Sequence, residues 1–118
     1  MDLEEFRTYC FGKSAVSESF PFDNRTLVFK VAGKIFALTD IECFDSVNLK
    51  CNPEMAIELR EKHAFITPGY HMNKKHWNTV IFEGGSIPRK ELLWLLDHSY
   101  EQVVKGMPKK LQQELNDL

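Results

Sequence analysis

The sequence lacks the long apolar runs that a membrane-spanning or secreted chain needs. No stretch approaches the roughly 20 apolar residues of a transmembrane helix, and residues 1–5 are acidic with no apolar run behind them, unlike a signal peptide. These absences favour a cytoplasmic location with no membrane partner. The three cysteines, Cys10, Cys43 and Cys51, are odd in number and far apart, which favours buried thiols in a reducing compartment over disulfide bonds.

The short motifs of catalysis and nucleotide binding are also missing. There is no GxSxG for a serine nucleophile, no GxGxxG for a phosphate, and no HExxH or CxxC for a metal. His71 and His76 are five residues apart, which places them on one face of neither a helix nor a strand. The sequence therefore predicts no enzyme, no metal and no other cofactor, and it favours histidines that only form hydrogen bonds.

The distribution of charge is uneven. A net charge of −2 over 118 residues argues against a strongly basic nucleic-acid binder. However, residues 24–39 carry Arg25, Lys30 and Lys34 without any acid, and residues 67–82 carry Lys74 and Lys75 without any acid. A chain of this kind can still present one basic face to an anionic partner.

The apolar pattern predicts one α+β domain over residues 1–118. Strand patterns on both sides of Gly33 indicate a hairpin, because glycine readily supplies the positive φ of a tight turn. Asn52 and Pro53 suit the cap and the first position of a helix. Strands joined by hairpins, with helices at both ends of the chain, predict an antiparallel sheet flanked by N-terminal and C-terminal helices. The predicted helices span residues 3–12, begin at residue 53, run from 86–88 to 106–108 as the longest helix, and form a short or frayed helix at 109–118. The predicted strands span residues 27–31, 35–39, 47–51 and 77–82. Residues 17–24 are predicted to be irregular or to form a short edge strand.

Helical periodicity predicts which side chains of two helices face the core. On the longest helix, Trp94 and His98 fall opposite the core stripe. Trp94 then either packs under the N-terminal helix or forms a dimer contact. On the helix that follows Pro53, the periodicity leaves Arg60 among solvated charges. The core stripe of the longest helix contains Leu92, Leu93, Leu96, Tyr100, Val103, Val104 and Met107.

Residues 68–80, with the sequence PGYHMNKKHWNTV, are the part of the chain richest in groups that contact ligands. Lys74 and Lys75 can neutralise phosphates, and Trp77 can stack on a base, a combination that nucleic-acid surfaces use. The alternative is a polar loop that Trp77 anchors in the core, with Asn73 and Asn78 bonded to turn backbone. Spacing alone favours this alternative.

The same residues resemble the signature of the MmcQ/YjbR family. The resemblance extends to residues 26–31, 33–37, 49–53, 97–100 and 108–111, and so covers nearly the whole chain. It implies a twisted antiparallel sheet of the CyaY-like (frataxin-like) fold in a bacterial, double-wing DNA-binding protein. It implies no catalytic residues. The positions that could serve the binding role are Lys30, Lys34, Lys50, His71, Asn73, Lys74, Lys75, His76 and Trp77.

Two other functions remain open at this point. One is a protein-interaction or regulatory domain, in which Trp94 and residues 68–80 form a surface for a protein partner. The other is a small-ligand binder or enzyme that uses His71, His76 and Asn73 in a pocket. The second alternative is the weaker, because no nucleophile, metal set or phosphate loop accompanies the histidines.

Overall fold

A computed structural model describes residues 1–69, 72–82 and 87–118, and in them a six-stranded antiparallel sheet packs with four helices. This arrangement confirms the predicted α+β class with helices at both ends of the chain. The strand order across the sheet is β1-β2-β3-β4-β6-β5. The elements are α1 (Leu3–Phe11), β1 (Val16–Ser19), β2 (Thr26–Val31), β3 (Lys34–Asp40), β4 (Ser46–Lys50), α2 (Pro53–Lys62), β5 (Ile66–Pro68), β6 (Trp77–Ile81), α3 (Arg89–Lys105) and α4 (Lys109–Asn116).

The predicted hairpin joins β2 to β3. Ala32 and Gly33 both have positive φ, 46° and 84°, as a two-residue turn between strands of right-handed twist requires. The predicted beginning of α2 is also confirmed. Asn52 caps that helix by accepting, through its side chain, the N–H groups of Glu54 and Met55, and Pro53 follows as the first helical residue. Residues 17–24 contain the short edge strand β1, and residues 109–118 contain α4.

The main core lies between one face of the sheet and the helices α1, α3 and α4. Phe6 of α1 packs edge-on against Phe29 of β2, with ring centroids 5.4 Å apart, and both rings are fully buried. Leu96 of α3 is likewise fully buried in this cluster. Burial of each such side chain contributes roughly 1.5–3 kcal/mol to folding. Because neighbouring residues of a strand alternate between faces, Lys30, Lys50 and Trp77 lie on the opposite face of the sheet.

Ser99 of α3 connects the central strands β3 and β4 at the point where the backbone hydrogen bonds between these strands end. The β3–β4 register includes only Ala37 opposite Leu49 and Leu38 opposite Asn48. Beyond these pairs, the fully buried Ser99 hydroxyl accepts the Lys50 N–H at 2.8 Å and donates to the Phe36 carbonyl at 2.5 Å. The helix thus satisfies two backbone groups that the sheet leaves unpaired.

The predicted exposure of His98 is wrong. His98 is only 9% exposed, and its Nε2 accepts the N–H of Asn52 at 3.3 Å. The beginning of α2 therefore docks on the flank of α3, which buries a wider arc of that helix than its apolar stripe indicates. Trp94 does lie outside the core, 52% exposed, and stacks on the His98 ring with centroids 5.3 Å apart. It is therefore not packed under α1, and its predicted dimer contact stays a prediction.

Candidate nucleic-acid interface

Five lysines lie toward one end of the sheet, which we call the basic end: Lys30, Lys34, Lys50, Lys74 and Lys75. The antiparallel topology brings them there. β2 ends and β3 begins at the turn 32–33, so Lys30 and Lys34 flank that turn. β4 ends at Lys50, directly opposite Trp77 at the beginning of β6. Residues 72–76, which we call the lysine loop, carry Lys74 and Lys75 into that same end of β6.

The lysines of the basic end form no ion pair with any described residue. The described cations that are paired lie elsewhere, as with Lys13 and Asp97 at 2.6 Å or Arg7 and Glu18. Lys34, Lys74 and Lys75 are exposed, whereas Lys30 and Lys50 are half-buried. Lysines without an ion-pair partner at one end of the sheet favour a positive potential there, even though the net charge of the chain is −2.

Arg25 does not join this cluster, although it belongs to the basic segment 24–39. It lies at the opposite end of the sheet, where its guanidinium pairs with Asp40 at 2.6 Å and Glu42 at 3.3 Å. A surface cleft of about 620 Å³ opens there and also contains Asp23 and Asp45. Burial acts to raise the pKa of Asp40, yet the N–H groups of Glu42 and Cys43, together with Arg25, hold that pKa below its ordinary value. Acidic side chains therefore gather around Arg25 at the end of the sheet opposite the five lysines.

Backbone hydrogen bonds fix the described part of the lysine loop. The Asn73 side chain accepts the N–H of Lys75 at 2.8 Å, and the Asn73 carbonyl accepts the N–H of His76 at 3.2 Å. The His76 carbonyl then accepts the N–H of Cys51 at 2.8 Å, which connects the loop to the end of β4. The predicted role of Asn73 in turn backbone bonding is confirmed. This turn leaves the side chains of Lys74 and Lys75 in solvent.

Trp77 anchors the loop to the sheet. Its side chain is only 8% exposed, which leaves little ring surface for stacking on a base. The backbone at Gly69 passes so close that a Cβ there would lie 2.7 Å from the Cβ of Trp77. Glycine is therefore required at position 69 by close approach. The predicted burial of Trp77 is confirmed, but its ring lies on the face of the sheet opposite the main core rather than in that core.

Arg60 is a residue of this site that the sequence reasoning missed. Its Nε donates to Asn78 Oδ1 at 2.6 Å, and its Nη2 donates to the carbonyls of Lys74 and, at 3.4 Å, Trp77. The sequence predicts that the Asn78 side chain forms hydrogen bonds with the backbone of the turn. This prediction is wrong, because Oδ1 of Asn78 accepts from Arg60 instead. One signal was present, since Arg60 follows the buried Ala56 by four residues and so shares its helix face.

Some predicted residues fall outside the described part of the chain. Tyr70 and His71 do so, as do residues 83–85, where the sequence predicts a turn after the last strand, and Ser86 at the predicted beginning of the longest helix. The hypothesis that His71, His76 and Asn73 line a pocket for a small ligand therefore stays a prediction. Among the residues that are described, no group of three or more His, Cys, Asp or Glu side chains could hold a metal ion. None of the described helices is both long and apolar enough to cross a bilayer.

The cysteines differ in their surroundings. Burial raises the pKa of the Cys10 thiol to about 12, and it raises that of Cys51 to about 11 against the opposing charge of Arg60. Both are buried thiols, as predicted, and carry almost no nucleophilic thiolate at neutral pH. The prediction is wrong for Cys43, which is exposed on the segment between β3 and β4.

Comparison with known sequences gives one family. The family model described as YjbR matches residues 12–102. Over its full length the chain is 34% identical to the uncharacterized protein YjbR of Escherichia coli strain K12, of which it covers 100%. It is also 37% identical over 97 residues to the uncharacterized protein YbdF of Escherichia coli O157:H7, covering 81% of this chain and 79% of YbdF.

Comparison with solved structures agrees with that result. The crystal structure of Deinococcus radiodurans protein DR2400, with domain DUF419, matches with a TM-score of 0.90 and 42% identity over 98% of this chain and 88% of that one. A protein from Pseudomonas syringae matches with a TM-score of 0.71 and 28% identity over 86% of this chain and 98% of that one. The similarity extends across the sheet and its helices, and none of these descriptions includes an activity.

Proposed function

The chain belongs to the YjbR family, and we propose that it binds DNA weakly through the phosphate backbone at the basic end of its sheet. The observation that carries this proposal is the gathering of five lysines, none paired with a described acid, at one end of the sheet. The hairpin that carries Lys34 and the lysine loop that carries Lys74 and Lys75 act as two wings. Lysine ammonium groups suit phosphate oxygens as point charges.

The proposed binding mode has a defined salt dependence. Each neutralised phosphate adds about −0.9 to the slope of log affinity against log salt, so five contacts give a slope of about −4.5. Contacts with phosphates position a protein on the duplex without reading its sequence. The expected dissociation constant is therefore that of non-specific binding, roughly 10⁻⁴ to 10⁻⁶ M at physiological salt.

Fluorescence anisotropy of a labelled duplex, measured across several salt concentrations, tests the proposal. Charge reversal of the lysine loop, Lys74→Glu with Lys75→Glu, should abolish measurable binding. The matched control is Lys109→Glu with Lys110→Glu, which reverses an exposed lysine pair on α4. The proposal is wrong if the wild-type protein gives no salt-sensitive isotherm, or if both double variants bind as it does.

The exposed tryptophan supports a second candidate, a surface for a protein partner. Trp94 borders a groove of about 690 Å³ with Tyr9, Pro88 and Leu93. A half-exposed tryptophan beside apolar neighbours is typical of the anchoring residues of protein interfaces. Under this hypothesis Trp94→Ser eliminates association with the partner in a binding assay, while any binding of DNA at the basic end is unchanged. Equal association of the variant and the wild type would exclude the groove.

A further inference from the structure

We propose that Arg60 of α2 is the positioning residue of the lysine loop and holds Lys74 and Lys75 in place for the phosphate backbone. This inference rests on the proposed function, since positioning matters only if the loop binds DNA. It goes beyond the five lysines by assigning a role to a residue on a different element, one that does not itself contact the phosphates.

The contacts of Arg60 all lead from α2 to the lysine loop or to the strand that follows it. Its guanidinium donates to Asn78 Oδ1 at 2.6 Å, to the Lys74 carbonyl and, at 3.4 Å, to the Trp77 carbonyl. Asn78 is 2% exposed, so its side-chain oxygen depends on this donor. Several N–H groups in a fixed planar fork can serve these acceptors together, which a lysine ammonium cannot reproduce.

Arg60 also forms no ion pair with a described carboxylate, and its three acceptors are neutral oxygens. Its positive charge acts at Cys51, where it opposes the rise in the pKa of the thiol. Arg60 therefore adds to the positive potential at the basic end while its N–H groups stay engaged inside the protein.

A groove separates α2 from the lysine loop and shows why a long side chain is needed. The groove measures about 500 Å³ and has Pro53, Glu54 and Ile57 of α2 on one side and Lys74 and Lys75 on the other. Arg60 spans the space between them. A loop that is held before binding loses less conformational freedom when its lysines meet the phosphates. Loss of the Arg60 contacts should therefore weaken DNA binding even when every lysine remains.

The first arm of the test measures the free protein. Amide hydrogen exchange at Lys75 and His76 reports on the loop, because both N–H groups donate within the Asn73 turn. In Arg60→Gln and Arg60→Lys, exchange at these amides should rise about tenfold, as expected for the loss of a charge-assisted hydrogen bond. Lys62→Gln, which removes an exposed charge from the same helix, should leave it unchanged. Unchanged exchange in both Arg60 variants would overturn the inference whether or not DNA binds.

The second arm measures DNA affinity with the same proteins. Arg60→Lys keeps the charge and loses the fork, so its affinity should fall by about tenfold, whereas Lys62→Gln should change affinity less than twofold. If Arg60→Lys binds like the wild type although its loop amides exchange faster, the positioning role is wrong and the proposed function stands. If the wild type itself does not bind DNA, both the proposed function and the positioning role are wrong. The exchange data would still show whether the Arg60 contacts hold the lysine loop. Arg60→Lys keeps the charge and a long side chain, so it is expected to fold. It therefore still tests the inference if Arg60→Gln unfolds.

Discussion

His98 on α3 accepts the backbone N–H of Asn52, the residue that caps α2, through its Nε2 atom at 3.3 Å. Only a nitrogen without a proton can accept, so this bond exists in the neutral imidazole and is lost when His98 is protonated. One face of the imidazole ring stacks on Trp94. Protonation of His98 would therefore remove one contact that holds the beginning of α2 on α3.

The first prediction is that acid destabilises the protein through His98. Burial lowers the pKa of His98 below its ordinary 6.5, with Lys105 lowering it further and Glu101 opposing the shift. The unfolded chain therefore takes up this proton first, so the free energy of unfolding falls as the pH drops from about 6.5 toward the folded pKa, and is unaffected by His98 above that range. Urea unfolding at pH 7.5 and pH 5.5 measures the difference.

His98→Gln is the control for this prediction, because the Gln amide oxygen can replace Nε2 as an acceptor without titrating. The variant should lose the part of the pH dependence that comes from His98. A wild-type protein and a Gln variant with identical pH profiles would show that this histidine does not sense the change.

The second prediction concerns the close approach of Gly69 to Trp77. In Gly69→Ala the new Cβ would lie 2.7 Å from the Trp77 Cβ and 2.9 Å from its carbonyl oxygen, so backbone must move. We expect a loss of roughly 1–3 kcal/mol in the free energy of unfolding, as for other overpacked sites. Chemical denaturation measures it. Gly106→Ala is the control, since its Cβ would meet the nearest atom at an ordinary 3.5 Å; equal losses in the two variants would contradict the steric explanation.

The third prediction is that Ser99→Ala destabilises the fold without changing its packing volume much. The variant leaves the Lys50 N–H and the Phe36 carbonyl buried without their shared partner. An unsatisfied buried polar group costs about 1–3 kcal/mol. Denaturation of Ser99→Ala should show a loss in this range, whereas Ser17→Ala on the exposed side of edge strand β1 should change the free energy of unfolding by less than about 0.5 kcal/mol. A loss for Ser99→Ala no larger than that of Ser17→Ala would show that the bridge contributes nothing.

How far the sequence predicted this structure depends on whether the determining contact is local. The β2–β3 hairpin and the beginning of α2 were predictable, because Gly33, Asn52 and Pro53 act through their own backbone geometry. His98 and Arg60 were not, because their partners are distant in sequence and polar. A helical pattern of apolar residues identifies the side of a helix that packs on the sheet. It does not identify polar residues beside that side that form hydrogen bonds with another element.

The candidate site shows the same limit. The sequence indicated that Lys74 and Lys75 are free and that Asn73 forms a turn, because both follow from one short segment. The basic segment 24–39 also contains Arg25, and its sequence does not show how far Arg25 lies from Lys30 and Lys34. Arg25 directly precedes β2 and Lys30 lies near the end of that strand, so the two residues lie toward opposite ends of the sheet.

The fourth prediction separates a two-wing interface from one that uses the lysine loop alone. Lys34 lies at the hairpin between β2 and β3, and the lysine loop lies beyond β4 at the beginning of β6. If both wings contact the duplex, Lys34→Gln reduces the slope of log affinity against log salt by about 0.9, the contribution of one phosphate contact. Lys90→Gln is the control, because Lys90 is an exposed lysine at the beginning of α3 and does not belong to the basic end. Anisotropy titrations at several salt concentrations give both slopes. An unchanged slope for Lys34→Gln, together with a reduced slope for Lys74→Gln, would restrict the interface to the lysine loop.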